Sequence, residues 1–200
     1  MIGRLVGDRR SFLKGVGSGG VVGVGIVGLA GFEGIGLSSQ PASTLTIRSQ
    51  ADETNYSIRL SDPDARVVDA PSDTVVSHKN GKTFFAGVID AGVTATFGFD
   101  GGVERVDLAS GAASVTVDDP KDSFTGGISA EGHGLYRVVA TGPIAKSRDT
   151  ETEDATMFST LQGTVDDDAD YYEAEGGIRH ADLRVAQGEE LSIAHSFVEE

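Results

Sequence analysis

The feature that most constrains the fold of this chain is a strand–turn–strand pattern that occurs twice, 75 residues apart. The stretch FGFDGGV at 97–103 is followed by DL at 107–108, and YEAEGGI at 172–178 is followed by DL at 182–183. In each copy an aromatic strand would lead through a Gly-Gly turn into a returning strand, because glycine adopts the positive φ angles of tight turns at little cost. The repetition predicts an internal duplication.

The remaining sequence favours an all-β fold. Short segments carry β-branched or aromatic residues at every second position, and Gly, Asp, Ser or Pro separate them at intervals of about ten residues. This spacing is typical of antiparallel β-sandwiches and jelly rolls. We therefore predict two tandem antiparallel β modules, at 44–119 and 123–200, preceded by a segment at 1–43. Because each module is near the lower size limit for an independent core, the two are expected to share an interface.

Two stretches are predicted as pairs of separate strands. In the first module the strands are 103–108 and 114–117, with a turn centred on Ser110 and Gly111. In the second module they are 123–129 and 135–141.

The amino terminus resembles a twin-arginine export signal, which delivers a folded protein to a translocase. The residues that carry this motif are Arg9, Arg10, Phe12, Leu13 and Lys14. Residues 15–32 are uncharged, and eight of these eighteen are Gly, which makes the stretch only weakly hydrophobic. The motif predicts secretion or display at the cell surface, with the twin-arginine translocase as partner during export.

Three fates of this segment fit the sequence. Small residues permit cleavage after Ala30 or after Ser38, and retention as an anchor is the third alternative, although Glu33 cuts the apolar run short of the roughly 20 residues of a membrane span. No stable span is expected in a cleaved form. The chain has no Cys, which excludes disulfides and a lipid-modified cysteine.

The net charge of the chain limits the classes of molecule that it can bind. Residues 44–200 contain 29 acidic and 12 basic residues, a net charge of −17. Such a surface repels nucleic acids and anionic membranes, so neither is expected to bind. Many acids with few Lys also favour a halophilic origin, because molar salt screens the repulsion to within a few ångströms.

The order LTI, NYSIRLSD, TFGFDGGVERVDL and ASVTVDD along the first module, with its weaker echo in the second, resembles the uncharacterised β-rich modules of twin-arginine-signal proteins secreted by haloarchaea. The pattern covers nearly the whole chain. It departs from that family at Glu104 and Arg105, and in the second copy at Arg179 and His180, where a more apolar strand is expected. The resemblance implies a fold and a location, and it transfers no catalytic or binding residue.

Zinc is one cofactor that the sequence allows. If residues 185–191 turn as a hairpin, His180 faces His195, with Asp182 on the same face as the start of a zinc site. The register of the first module would instead place Ser192 opposite His180. Strand histidines at the surface are the simpler interpretation of the same residues.

Calcium is the other cofactor that the sequence allows. Asp166, Asp168 and Asp170 form the densest acidic run and an alternative cation site. The run does not match a calcium-binding EF-hand loop, because Tyr171 and Gly177 occupy the positions that need Gly and Glu. A solvated acidic loop is the simpler interpretation, and no cofactor is required by the sequence.

Two classes of function remain. One is a noncatalytic secreted or cell-surface protein with a structural or binding role toward a polysaccharide or a surface-layer protein. The alternative is a small extracellular hydrolase or metal-dependent enzyme that uses the histidines and aspartates above. The mature chain contains no Gly-x-Ser-x-Gly nucleophile motif. The first class is therefore favoured.

We expect replacement of both Arg9 and Arg10 by Lys to leave the protein inside the cell. Lysine keeps the charge but lacks the planar guanidinium that the translocase reads. Immunoblots of cell and medium fractions would measure this, with Arg4→Lys as the matched control. Secretion of the double variant at the level of the unmodified protein would contradict the export assignment.

Overall fold

The computed structural model describes residues 41–118, 125–147, 154–166 and 168–198. The predicted export motif and both cleavage positions lie outside them. The described residues belong to one compact unit, 40–200, and contain no helix that could span a membrane. The strands are β1 (Ser43–Ser49), β2 (Glu53–Leu60), β3 (Arg66–Asp69), β4 (Val75–Lys79), β5 (Lys82–Asp90), β6 (Thr94–Phe99), β7 (Val103–Asp118), β8 (Thr125–Ala140), β9 (Ile144–Lys146), β10 (Ala155–Met157), β11 (Thr160–Asp166), β12 (Asp170–Glu175), β13 (Ile178–Val185) and β14 (Leu191–Val198).

All strand pairings are antiparallel, so the predicted all-β antiparallel class is confirmed. The pairings form two sheets. Sheet A has the order β10-β11-β8-β13-β7-β1-β6-β3, and sheet B has the order β4-β5-β2-β7-β14-β8-β12-β9. Strands β7 and β8 belong to both sheets. The core lies where the inward faces of both sheets pack into one cluster of buried side chains.

Each of the two shared strands passes from one sheet to the other at a glycine. In β7, residues before Gly111 pair with β2 and β14, and the later ones pair with β1 and β13. In β8 the change occurs at Gly132, between its pairing with β12 and with β11. Both glycines have positive φ (90° and 106°), and a Cβ on Gly111 would lie 2.6 Å from the carbonyl oxygen of Glu53. Only glycine fits such a corner without strain.

These corners correct two sequence predictions. The strands predicted at 103–108 and 114–117 are one strand, β7, and those predicted at 123–129 and 135–141 are one strand, β8. The small residues around Gly111 predict a turn that reverses the direction of the chain. The structure uses the same glycine to bend a continuous strand.

The pairing pattern of strands β1–β7 has a counterpart in strands β8–β14. The counterparts of β1 and β2 are the earlier and later parts of β8, and the counterparts of the earlier and later parts of β7 are β13 and β14. In the first half Tyr56 lies opposite Leu108 and Gly87. In the second half Tyr136 lies opposite Leu183 and Gly163. Residues with the same place in this pattern are called equivalent below.

The predicted Gly-Gly turns lie at equivalent places, between β6 and β7 and between β12 and β13. In the first turn the amide of Gly102 donates to Ser61 Oγ at 2.8 Å, and in the second the amide of Gly177 donates to Thr141 Oγ1 at 3.1 Å. Only Gly176 has a positive φ (76°). Gly101 is required for a different reason, because a Cβ there would lie 2.5 Å from the carbonyl oxygen of Ser61.

Candidate functional site

A groove of about 510 Å³ crosses the outer face of sheet B. Its middle is lined by small residues of β8 and β14, including Ser129 and Ala194. Strands on either side contribute larger polar side chains, so the groove joins the first half of the chain to the second. The larger polar residues at its two sides are Arg59, Lys82, Glu104, Ser147, Tyr171 and Glu173.

One wall of the groove is an ion cluster built on a β-bulge. The register between β2 and β7 shifts after Arg59, and Glu104 is the extra residue in β7. Glu104 is buried, and its two carboxylate oxygens lie 3.0 Å from Arg59 Nε and 2.7 Å from Lys82 Nζ. Two cations around one buried carboxylate compensate for its desolvation and hold both long side chains in place.

The opposite wall presents an aromatic ring. Burial alternates along β12, which turns Asp170 and Tyr172 inward and Tyr171 and Glu173 outward. Tyr171 is 46% exposed, whereas most of the other aromatic side chains that the structure describes are buried. A tyrosine ring of this kind offers an apolar face and a phenol hydroxyl to the same ligand.

Behind this wall lies a buried group of four side chains, Tyr136, Tyr172, Asp154 and Asp170, named the tyrosine–aspartate cluster here. Tyr136 Oη is 2.9 Å from Asp154 Oδ2 and 2.7 Å from Asp170 Oδ2. Tyr172 Oη is 2.6 Å from Asp154 Oδ2 and 2.6 Å from Tyr136 Oη. Burial, and then hydrogen bonding to the neighbouring side chains, raises the pKa of Tyr136 well above its usual range. Burial also raises the pKa of Tyr172, so both phenols keep their protons and act as donors.

The equivalent place in the first half is mostly apolar. Tyr56 is equivalent to Tyr136, but Phe97 replaces Tyr172 and Ala95 replaces Asp170. Phe97 packs on Phe85 with ring centroids 4.3 Å apart, and Tyr56 Oη makes one contact of 3.3 Å, to Thr74 Oγ1. The polar cluster is therefore a specific feature of the second half.

Gly163 makes room for the cluster. A Cβ at this position would collide with the carboxylate of Asp154 and would lie 2.5 Å from Tyr136 Oη. A Cβ on the equivalent Gly87 would lie 3.0 Å from Tyr56 Oη. The sequence signals Tyr136 through its match to Tyr56, but it gives no signal for Asp154, which only the fold brings to the two tyrosines.

The structure brings together only two of the three residues of the predicted zinc site. His180 Nε2 lies 3.1 Å from Asp182 Oδ2 on the outer face of sheet A, and His180 Nδ1 lies 3.1 Å from Thr116 Oγ1. His195 lies on β14 in sheet B, opposite Ile128. Within the described residues β13 and β14 pair with β7 and β8 and not with each other, so neither predicted hairpin register forms.

The His180–Asp182 pair has a counterpart in the first half of the chain. The equivalent residues in the first half are Arg105 and Asp107, whose Nε and Oδ1 atoms are 2.6 Å apart. Arginine stays protonated and does not ligate metals. The position therefore holds a nitrogen-bearing side chain beside a carboxylate on the sheet surface in both halves.

The three aspartates of the alternative cation site point in different directions. Asp170 is buried in the tyrosine–aspartate cluster, while Asp166 is exposed, with its Oδ1 3.3 Å from His133 Nε2. Asp168 is exposed. Among the residues that the structure describes, no group of three His, Asp or Glu side chains is arranged to hold a metal ion.

His195 is a buried histidine at an otherwise apolar position. Its neighbour on the next strand is Ile128, and the neighbour of Ile128 on the strand beyond is Tyr172. The equivalent three residues of the first half are all apolar: Val117, Leu45 and Phe97. Burial lowers the pKa of His195 from 6.5 to about 4. The ring is therefore neutral at neutral pH.

We expect Tyr136→Phe to lower the free energy of unfolding by roughly 2 to 4 kcal/mol, because it removes a buried hydroxyl that lies within hydrogen-bonding distance of two buried carboxylates. Tyr56→Phe is the matched control and should cost about 1 kcal/mol or less, since only one long contact is lost. Chemical denaturation of both variants in the same salt would measure the difference. Equal losses would contradict a special role of the cluster.

We also expect His195→Val to make the fold less sensitive to acid. The pKa of His195 is lower in the folded state than in the unfolded state, so stability present above pH 6.5 is lost as the pH falls toward 4. The loss amounts to about 3 kcal/mol at most. Unfolding free energies between pH 7 and pH 4 should therefore fall less for the variant, which carries the residue of the equivalent Val117. An unchanged pH profile would show that His195 does not contribute.

Comparison with known proteins adds no family. No family model matches the chain, and neither the curated proteins nor the solved structures contain a significant match. The resemblance to haloarchaeal β modules stays a prediction from the sequence motif. Function is therefore argued from the geometry of the groove and of the two halves.

Proposed function

We propose that this chain is an exported, noncatalytic β-sandwich protein that arose by duplication of one module and that binds a neutral polysaccharide in the sheet B groove. The observation that carries the binding site is the exposed ring of Tyr171, which faces a wall of charged donors and acceptors across a row of small residues. A volume of about 510 Å³ is in the range of small-ligand sites.

The matched pairing of the halves supports duplication. Equivalent places carry the same interactions in both, such as Ser61 with Gly102 and Thr141 with Gly177. The bulge residue is Glu104 in the first half, and Arg179 lies at the equivalent register shift in the second. A duplicated module explains why two sequence motifs 75 residues apart form the same kind of turn at equivalent places.

The groove favours a neutral sugar polymer for chemical reasons. A tyrosine face packs against the apolar C–H face of a sugar ring, while hydroxyls of the sugar need donors and acceptors around that ring. Ser147 and Glu173 lie on the Tyr171 side, Ser129 lies in the middle, and the Arg59–Glu104–Lys82 cluster lies on the other side. Both signs of charge are present, so the groove does not select an ionic ligand.

The carboxylates are arranged for structure more than for hydrolysis. A glycosidase needs a pair of carboxyl groups that reach the scissile bond. Glu173 lines the groove as an exposed carboxylate, but both oxygens of Glu104 are occupied by cations, and Asp154 and Asp170 are buried against tyrosines. These contacts support binding over catalysis.

The proposed setting is outside the cell in concentrated salt. The twin-arginine motif supports export as a folded protein, and the net charge of −17 over 44–200 supports a halophilic origin. The same charge argues against nucleic acids and anionic membranes as partners.

Isothermal titration in molar KCl with soluble α-glucan, β-glucan, mannan and xylan tests the proposal. We expect at least one polymer to bind, with Tyr171→Ala about tenfold weaker, or ~1.4 kcal/mol, and Tyr171→Phe close to the unmodified protein. Leu135→Ala, an exposed apolar residue on sheet A, is the control and should not change Kd. Failure of all four polymers to bind, or equal binding by Tyr171→Ala, would overturn the glycan assignment.

A further inference from the structure

A second concave site lies on the outer face of sheet A. It has a volume of about 420 Å³ and lies over β11, β8 and β13, which are neighbours in that sheet. It is named the arginine pocket here, because Arg137 and Arg184 both line it. None of its lining residues lines the sheet B groove, so the two sites are separate.

The strand register places the two arginines side by side. Arg137 in β8 lies opposite Asp182 in β13, and Arg184 follows Asp182 two residues further along β13. Residues two apart in a strand point to the same face, and diagonal neighbours on adjacent strands lie about 7 to 8 Å apart. Both arginines are exposed, so both guanidinium groups can contact one ligand in the pocket.

The two arginines have unused hydrogen-bond donors. Arg137 Nη1 lies 3.9 Å from Asp182 Oδ2, which is beyond hydrogen-bonding distance. Arg184 makes no ion pair and no side-chain hydrogen bond with any residue that the structure describes. A guanidinium group carries five N–H donors in a planar fork that matches the two oxygens of a carboxylate. Most of these donors are therefore available to a ligand.

The two aspartates that line the pocket already have partners within the protein. Asp182 Oδ2 lies 3.1 Å from His180 Nε2. Asp154 belongs to the tyrosine–aspartate cluster, where its Oδ2 accepts from Tyr172 at 2.6 Å and its Oδ1 accepts from the amide of Thr164 at 3.3 Å. The formal charges of the lining balance, but its free groups are mainly donors. The pocket therefore favours a ligand that accepts hydrogen bonds.

The rest of the lining suits hydroxyl groups and a small apolar face. Gln50, Gln162 and Thr164 are exposed, and each carries a side chain that both donates and accepts. Leu135 lies between Thr164 and Arg184 in one row across the three strands and is 48% exposed. These groups complement a sugar ring, which has hydroxyls at its edge and C–H groups on its faces.

The equivalent place on sheet B has no arginine. Ser57 is equivalent to Arg137, because Ser57 lies opposite Asp107 as Arg137 lies opposite Asp182. Ala109 follows the first copy of the repeated DL motif, and Arg184 follows the second copy. The shared fold therefore forms without arginine at either position, and the arginine pocket is a feature of sheet A.

We propose that the arginine pocket binds a sugar acid, a ring that carries a carboxylate together with hydroxyl groups, as in the uronic acid unit of an acidic polysaccharide. The forks of Arg184 and Arg137 bind the carboxylate, and the glutamine amides contact the hydroxyls. The volume of the pocket is in the range of small-ligand sites. Molar salt screens the repulsion between the acidic surface and one ligand carboxylate to within a few ångströms, so contacts inside the pocket decide the binding.

Titration of the isotope-labelled full-length protein with glucuronate, galacturonate and mannuronate in molar KCl, followed by amide NMR, tests the proposal. We expect at least one of them to shift the amides of β8, β11 and β13. Galactose, which has a hydroxymethyl group where galacturonate has its carboxylate, is the matched ligand and should bind about tenfold more weakly than galacturonate, or ~1.4 kcal/mol.

Variants of the two arginines locate the site. Arg184→Ala and Arg137→Ser should each raise the Kd at least tenfold, and both place the residue of the equivalent first-half position, so loss of folding is not expected. Arg184→Lys keeps the charge but loses the planar fork, so it should also weaken binding. Arg48→Ser is the control, because Arg48 is exposed in β1 and does not line the pocket.

Three results would overturn the proposal: no Kd below about 10 mM for any of the three sugar acids, equal binding by either Arg184 variant, or displacement of the sugar acid by an equimolar amount of inorganic sulfate, which would indicate a general anion site. Tyr171→Ala changes only the sheet B groove and should leave sugar-acid binding intact. Failure of the groove proposal and failure of this one are therefore distinguishable.

Discussion

The fold depends on two strands that are each shared by both sheets. Strands β7 and β8 hydrogen-bond to four partners apiece, two in each sheet, and bend between them at Gly111 and Gly132. Fixing these strands fixes the relative position of the sheets, and the inward faces then have one way to pack. The groove and the tyrosine–aspartate cluster both lie against strands that these two position.

The sequence was sufficient for the parts of the fold that depend on local pattern. Alternation identified the strand class, and the repeated Gly-Gly motif located two turns that form the same hydrogen bonds. The continuity of β7 and β8 could not be predicted from the sequence. A glycine that bends a strand and a glycine in a turn that reverses the chain occur in the same sequence pattern. The short edge strands β3, β4 and β9 have too few residues to show a period.

The candidate site was less predictable, since it depends on pairings between distant strands. His180 and Asp182 are two residues apart on one strand, and their contact was expected. The prediction that His195 faces His180 depended on a hairpin between β13 and β14. The chain does not form this hairpin, because the two strands lie in different sheets. Asp154 accepts hydrogen bonds from Tyr136 and Tyr172, each of which is 18 residues away in the sequence. Only the folded chain brings these three residues together. Equivalent positions are more informative, because they separate what both halves share from what only one half contains.

The pairing between the halves is reciprocal. Strand β13 pairs with the later part of β7, and β14 pairs with its earlier part, so each half completes the sheets of the other. The two contacts exchange when the halves are exchanged. One half alone would leave both segments of this interface without these partners. The pairing has the reciprocity of an isologous contact, in which the same two surfaces meet twice.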